Sequence, residues 1–134
     1  MKINRIIETC IYSSDLKNMK EFYVDVLGLL PIEEETDKVI FLKAGKSMLL
    51  LFNPSKTMVD NKNLPTHGTI SPPSSIHLAL EIEEQDYPHW KQRLINNNVS
   101  IEKEVIWKSN SKSIYFRDPA SNLVELITPG EWPV

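Results

Sequence analysis

Two helix-stop signals set 70 residues apart, Gly28 and Asn98, constrain this 134-residue chain more than any other feature. Glycine and asparagine enter the left-handed backbone region more readily than other residues, so each ends an apolar helical stripe. Before Gly28, the residues Leu16, Met19, Phe22, Tyr23, Val26 and Leu27 recur at helical spacing behind a capping signal in Ser13-Ser14-Asp15. Before Asn98, Tyr87, Trp90, Leu94 and Ile95 do the same over 84–97, with Pro88 tolerable in the first turn. Each helix follows a predicted strand, 3–12 in the first half and 75–82 in the second. Three further strands are predicted after each, at 30–36, 38–43 and 47–52, then at 101–107, 112–117 and 123–128. Ala44-Gly45-Lys46 and Asp118–Asn122 mark turns. The order β-α-β-β-β is thus spelled twice.

Between the halves, residues 53–75 are polar and aperiodic and hold four of the nine prolines, the marks of a linker or flap. The expected layout is one domain, 1–134: a first module over 3–53, a connection over 54–74, a second module over 75–129 and a tail over 130–134. A hydrophobic fraction of 41% is enough for a core at this length. The net charge of −3, without any basic block, argues against a nucleic-acid partner. One cysteine, Cys10, excludes an intrachain disulfide framework and fits a reducing, cytoplasmic setting. No apolar run approaches the roughly 20 residues of a membrane helix, and the N-terminus lacks a signal-peptide pattern.

The chemistry begins at Glu125, a lone carboxylate inside the apolar strand 123–128. A buried, ionised carboxylate costs several kcal/mol (about that order) unless something compensates it. Aligning the two halves end to end sets SMLLLFNP (47–54) against NLVELITP (122–129), which puts Leu50 opposite Glu125. In the first strands an offset of 69 puts Glu8 opposite His77. Three of these four quasi-equivalent positions carry metal-ligand side chains. Blander readings stand beside that one. Glu125 can face solvent by strand parity, His77 can be a hydrogen-bonded sheet histidine, and Glu8 can pair with a lysine.

Three segments, SDLKNMKEFYVDVLGL (14–29), IHLALEI (76–82) and YFRDPASNLVELI (115–127), resemble members of the vicinal oxygen chelate superfamily. That group includes glyoxalase I, extradiol dioxygenases, and fosfomycin- and bleomycin-resistance proteins. The resemblance spans nearly the whole chain. It implies an α+β fold in which two β-α-β-β-β modules form an open, curved mixed-sheet cleft with helices on the outside, often around a divalent ion. The family's ligand positions fall on Glu8, His77 and Glu125. Two departures stand out. Leu50 occupies the place of a fourth ligand, which counts against orthodox glyoxalase I activity. Ser121 replaces the family's usual glycine in the DPxGN turn, which implies backbone strain there.

One imidazole and two carboxylates suit Fe, Mn, Zn, Ni or Co. A metal held this way acts as a Lewis acid on a substrate oxygen, and Glu8 can double as a base. By the same resemblance Tyr115 is a cavity hydroxyl with a catalytic role, with plain packing as the alternative. Cys10, Trp107, Ser109 and Arg117 are placed at the substrate, with Cys10 a lining residue rather than a nucleophile because no histidine neighbours it. The expected function is a metal-dependent enzyme on a small oxygen-bearing substrate, by isomerisation or lysis, thiol transfer or ring cleavage. The alternative is a metal-free protein that binds or sequesters a small molecule. Family precedent also implies a homodimer, with modules paired within one chain or exchanged between two.

Overall fold

The computed structural model describes residues 1–32, 35–57 and 76–134. The chain divides into two units, Met1–Ser74 and Ser75–Val134. The long predicted connection lies, from residue 58 to 75, outside the described residues; its first residues form a one-turn helix, α2 (Pro54–Thr57).

The first unit opens with β1 (Glu8–Tyr12) and α1 (Leu16–Glu21), which continues into a π-helical turn over Phe22–Val26. Asp15 caps the helix: its Oδ1 accepts from Asn18 N–H at 3.1 Å. The π turn inserts a residue into the helical repeat, and Phe22 and Tyr23 are consecutive yet both buried. Gly28 ends the helix at φ +74°. Strands β2 (Leu30–Ile32), β3 (Val39–Ala44) and β4 (Ser47–Phe52) complete a four-stranded mixed sheet in the order β1-β4-β3-β2. One sheet face supplies Ile11, Ile40, Leu42, Leu49 and Leu51, which are buried along with Leu16, Met19, Phe22 and Tyr23 of the helix. Burial of each such side chain contributes about 1.5–3 kcal/mol.

The second unit repeats the scheme. Strand β5 (His77–Glu81) leads through a 3₁₀ turn, Glu84–Asp86, into α3 (Tyr87–Asn96). Pro88 sits in the helix's first turn, and Asn98 follows its end at φ 59°. Strands β6 (Lys103–Ile106), β7 (Lys112–Arg117) and β8 (Leu123–Ile127) form a sheet in the order β5-β8-β7-β6. Two open four-stranded mixed sheets, each with its helix, make an α+β fold. Among the described residues no helix is long and apolar enough to cross a membrane.

Strand β1 is shorter than the predicted 3–12. Its partner β4 begins at Ser47, and Met48 N–H takes the Ile7 carbonyl at 2.9 Å. Before Ile7 there is no β4 residue left to pair with, and Ile3, Ile6 and Ile7 are exposed.

The turn between β7 and β8 is built from its side chains. Asp118 Oδ1 accepts from the backbone N–H groups of Ala120 and Asn122, both at 2.9 Å, and Asn122 Nδ2 donates to Asp118 Oδ2 at 2.8 Å. Ser121 sits at φ 66°, the left-handed conformation that glycine adopts without strain. Asn122 Oδ1 also accepts from Ile76 N–H at 3.2 Å, which clasps the start of β5 to the turn.

Candidate functional site

In the second unit, His77 lies opposite Leu123, Ala79 opposite Glu125, and Glu125 opposite Tyr115. Side chains alternate across a sheet, so His77, Glu125, Tyr115 and Ser113 share one face while Ile114, Phe116, Val124 and Leu126 take the other. Diagonal neighbours on one face remain within reach of long side chains, and His77 Nε2 approaches Glu125 Oε2 to 3.1 Å.

Glu125 is only 5% exposed, so it does not point at solvent. Its Oε1 accepts from the buried Ser113 hydroxyl at 2.5 Å. Ser113 Oγ in turn accepts from the Trp107 indole Nε1–H at 2.8 Å. The Tyr115 hydroxyl also hydrogen-bonds this carboxylate. Burial first, then that hydrogen bond and the carboxylate's charge, hold the Tyr115 phenol above the usual tyrosine range. The His77 and Tyr115 rings stack with centroids 6.1 Å apart.

His77 is the informative residue. Its Nδ1 is 3.1 Å from the Leu123 carbonyl oxygen, and its Nε2 faces a carboxylate oxygen, so both ring nitrogens meet acceptors. A neutral imidazole carries one N–H. With that N–H on Nδ1, facing the carbonyl, Nε2 presents a lone pair beside the Glu125 carboxylate, a pair of donors that suits a metal ion. The Nδ1–H to backbone-carbonyl bond is the arrangement that turns Nε2 out as a ligand. Two donors bonded at right angles to one dication at about 2.1 Å lie about 3.0 Å apart, so this pair fits neighbouring coordination positions. Side-chain exposures of 48% for His77 and 6% for Glu125 leave the pair open on the histidine side. Within neither unit, among the described residues, do three or more His, Cys, Asp or Glu side chains gather into a metal-binding group.

The first unit carries the same register. Glu8 pairs with Met48 as His77 does with Leu123, and Cys10 with Leu50 as Ala79 does with Glu125. Glu8 therefore holds the place of His77, and Leu50 that of Glu125, as the internal alignment expects. Glu8 is exposed, whereas Leu50 is buried hydrocarbon. Cys10 shares the face of Glu8, Met48 and Leu50. Burial, then the charge of Glu8, pushes its thiol up, which disfavours a reactive thiolate.

Arg117 and Ser109 each have protein partners. Arg117 Nε donates to Glu102 Oε1 at 2.9 Å and Nη1 to the Ser121 carbonyl at 3.1 Å, so the guanidinium braces the β7–β8 turn. Ser109 Oγ donates to Glu131 Oε2 at 2.5 Å, and Ser111 Oγ donates to the Pro129 carbonyl at 2.9 Å, so this loop holds the tail. Trp107 reaches the site through Ser113. Sequence reasoning missed Ser113 and Asn122. Ser113 shares strand parity with Tyr115, which was signal enough to find it. Grooves of about 730 and 560 Å³ run along α1 and α3 respectively, and none of these candidate residues lines them.

The family model described as Glyoxalase/Bleomycin resistance protein/Dioxygenase superfamily matches residues 2–126. A curated relative, "Metallothiol transferase FosB" of Staphylococcus epidermidis, is 33% identical over 133 residues, covering 96% of this chain and 84% of the relative. A solved structure titled lactoylglutathione lyase from Agrobacterium tumefaciens is similar with a TM-score of 0.88 and 31% identity, covering 98% of both chains. The fosfomycin resistance protein FosX from Mesorhizobium loti shares the fold with a TM-score of 0.66 at 16% identity, over 98% of this chain and 96% of that one.

Proposed function

The chain belongs to the Glyoxalase/Bleomycin resistance protein/Dioxygenase superfamily, and from that premise we propose that it is a divalent-metal-dependent enzyme acting on a small oxygen-bearing substrate. The observation that carries this reading is His77, whose two ring nitrogens both face acceptors, one of them the buried Glu125 carboxylate. We assign His77 Nε2 and Glu125 Oε2 as two protein donors. Glu8 is the third, supplied by the first module of the same chain or of a partner in a homodimer.

Fe, Mn, Zn, Ni or Co, bound there, would supply a Lewis acid for a substrate oxygen. The remaining work falls to the chain. Tyr115 keeps its proton through neutral pH and donates it in a hydrogen bond, to Glu125 or to a substrate oxygen. Ser113 and Trp107 hold the carboxylate in place. Glu8, when not a ligand, serves as general base. Cys10 lines the first module's share of the site.

The relatives' names point to two reactions, thiol transfer and lactoylglutathione lysis. Leu50 favours the first, because hydrocarbon stands where the first module's counterpart of Glu125 would donate. Three protein donors leave more positions for substrate oxygens. We therefore expect thiol addition to a small electrophile rather than hemithioacetal isomerisation. Protein purified without chelators should carry about one divalent ion per chain and should consume thiol only when metal is present. Hemithioacetal isomerase activity should be weak or absent. Protein that holds no metal, and whose stability added metal leaves unchanged, would instead be a metal-free binder.

A further inference from the structure

The two oxygens of Glu125 are not equivalent. Oε2 faces His77, while Oε1 is occupied by Ser113, a side chain with no solvent exposure. The direction of the Ser113 proton is fixed by its other neighbour. The Trp107 Nε1–H donates into Ser113 Oγ at 2.8 Å, and an indole nitrogen can only donate. Of the two acceptors left to its hydrogen, the Tyr115 oxygen and the Glu125 carboxylate 2.5 Å away, the charged one is the stronger and takes it. The relay Trp107 to Ser113 to Glu125 runs one way, across the β6–β7 turn and onto the facing strand.

We infer that Ser113, set by Trp107, is a positioning residue that restricts Glu125 to ligation through a single oxygen and so selects the metal. This rests on the metal reading above. With one lone pair of Oε1 taken by Ser113, the carboxylate favours ligation through Oε2, which suits a six-coordinate or tetrahedral first-row ion. Calcium takes 6–8 oxygens (roughly) at longer distances and often uses both oxygens of one carboxylate. The relay competes with the ion for that second oxygen. It therefore discriminates against calcium by chemistry rather than by cavity size. The Tyr115 hydroxyl, half-buried and itself beside Ser113, adds a second interaction with the same carboxylate.

The test is a calorimetric titration of chelator-stripped protein with Mn(II) and, separately, Ca(II), for the wild type, Ser113→Ala and Trp107→Phe. Trp107→Phe keeps an aromatic ring and removes the N–H donor without touching Ser113, so it guards against a Ser113 variant that fails to fold. The expected result is a Mn(II) affinity about tenfold lower in Ser113→Ala. The ratio of Mn(II) to Ca(II) affinity should fall by a similar factor, with a smaller fall in Trp107→Phe. A loss of general packing would not move that ratio. Wild-type protein that binds Mn(II), with a ratio unchanged in both variants, overturns this inference alone. Wild-type protein that binds neither ion overturns the metal reading and this inference with it.

Discussion

Glu125 and Leu50 occupy equivalent places in two sheets of the same register, one a buried carboxylate and the other buried hydrocarbon. The first sheet fills with leucine the place where the second holds a carboxylate, which supports the proposed role of Glu125 as a metal donor. Glu125→Leu should cost the metal-free protein about 1–3 kcal/mol, because the buried Ser113 hydroxyl loses its acceptor. It should also abolish any stabilisation by added metal. Denaturant melts with and without Mn(II) check both, and a variant that Mn(II) stabilises as much as it does the wild type would remove Glu125 from the metal site. Ser121 is a second residue-scale case. At φ 66° it carries strain that glycine lacks, so Ser121→Gly should raise stability by about 0.5–1 kcal/mol, after allowing for glycine's greater entropy when unfolded. Cys10 is a third. Its thiol is pushed up, so the thiolate is scarce at pH 8 (roughly the ordinary thiol range). Iodoacetamide should modify it more slowly in the native protein than in denaturant; equal rates contradict that.

At the scale of elements, the DPASN turn does more than reverse the chain. Asp118 satisfies the turn's own N–H groups, while Asn122 reaches across to Ile76 and fixes where β5 begins, one residue before His77. Asn122→Ala leaves a buried amide partner unmet on both sides and should cost about 1–3 kcal/mol, read from the denaturation midpoint. The sequence reading found this turn and its strained serine but not the clasp, because a side chain that bridges 46 residues leaves no periodic trace. It also overextended β1, since the alternation of apolar residues says nothing about where a partner strand starts. Between α3 and β6, Glu104 accepts from Tyr87 and Lys91 at 2.8 and 2.9 Å, which lowers its acid range, Lys91 first and Tyr87 second. A carboxylate lowered on folding stabilises above its unfolded pKa and loses that stability as pH falls through the folded one. Because the pair is solvent-exposed, Glu104→Gln should cost only about 0.5 kcal/mol at neutral pH, and the difference should vanish on acidification below the ordinary glutamate range.

For the whole molecule, the sequence carried the architecture unusually far. Helix stops, caps and an end-to-end match of strands sufficed to equate Glu8 with His77 and Leu50 with Glu125, and the paired registers agree. Arg117 was not legible as a brace, because its carboxylate partner Glu102 lies on a different segment and exposed ion pairs follow no sequence pattern. The proposed site draws donors from two modules, which a single chain or a homodimer can bring together; light scattering after size exclusion should give a dimer mass. The central claim is that Glu8, His77 and Glu125 ligate one divalent ion. Calorimetric titration of chelator-stripped protein with Mn(II) tests it most directly, with Glu8→Gln, His77→Gln and Glu125→Gln beside the wild type. The account predicts one ion per chain, with affinity falling at least about tenfold in each variant. Wild-type protein that takes up no ion, or variants that bind it as tightly as the wild type, would contradict it.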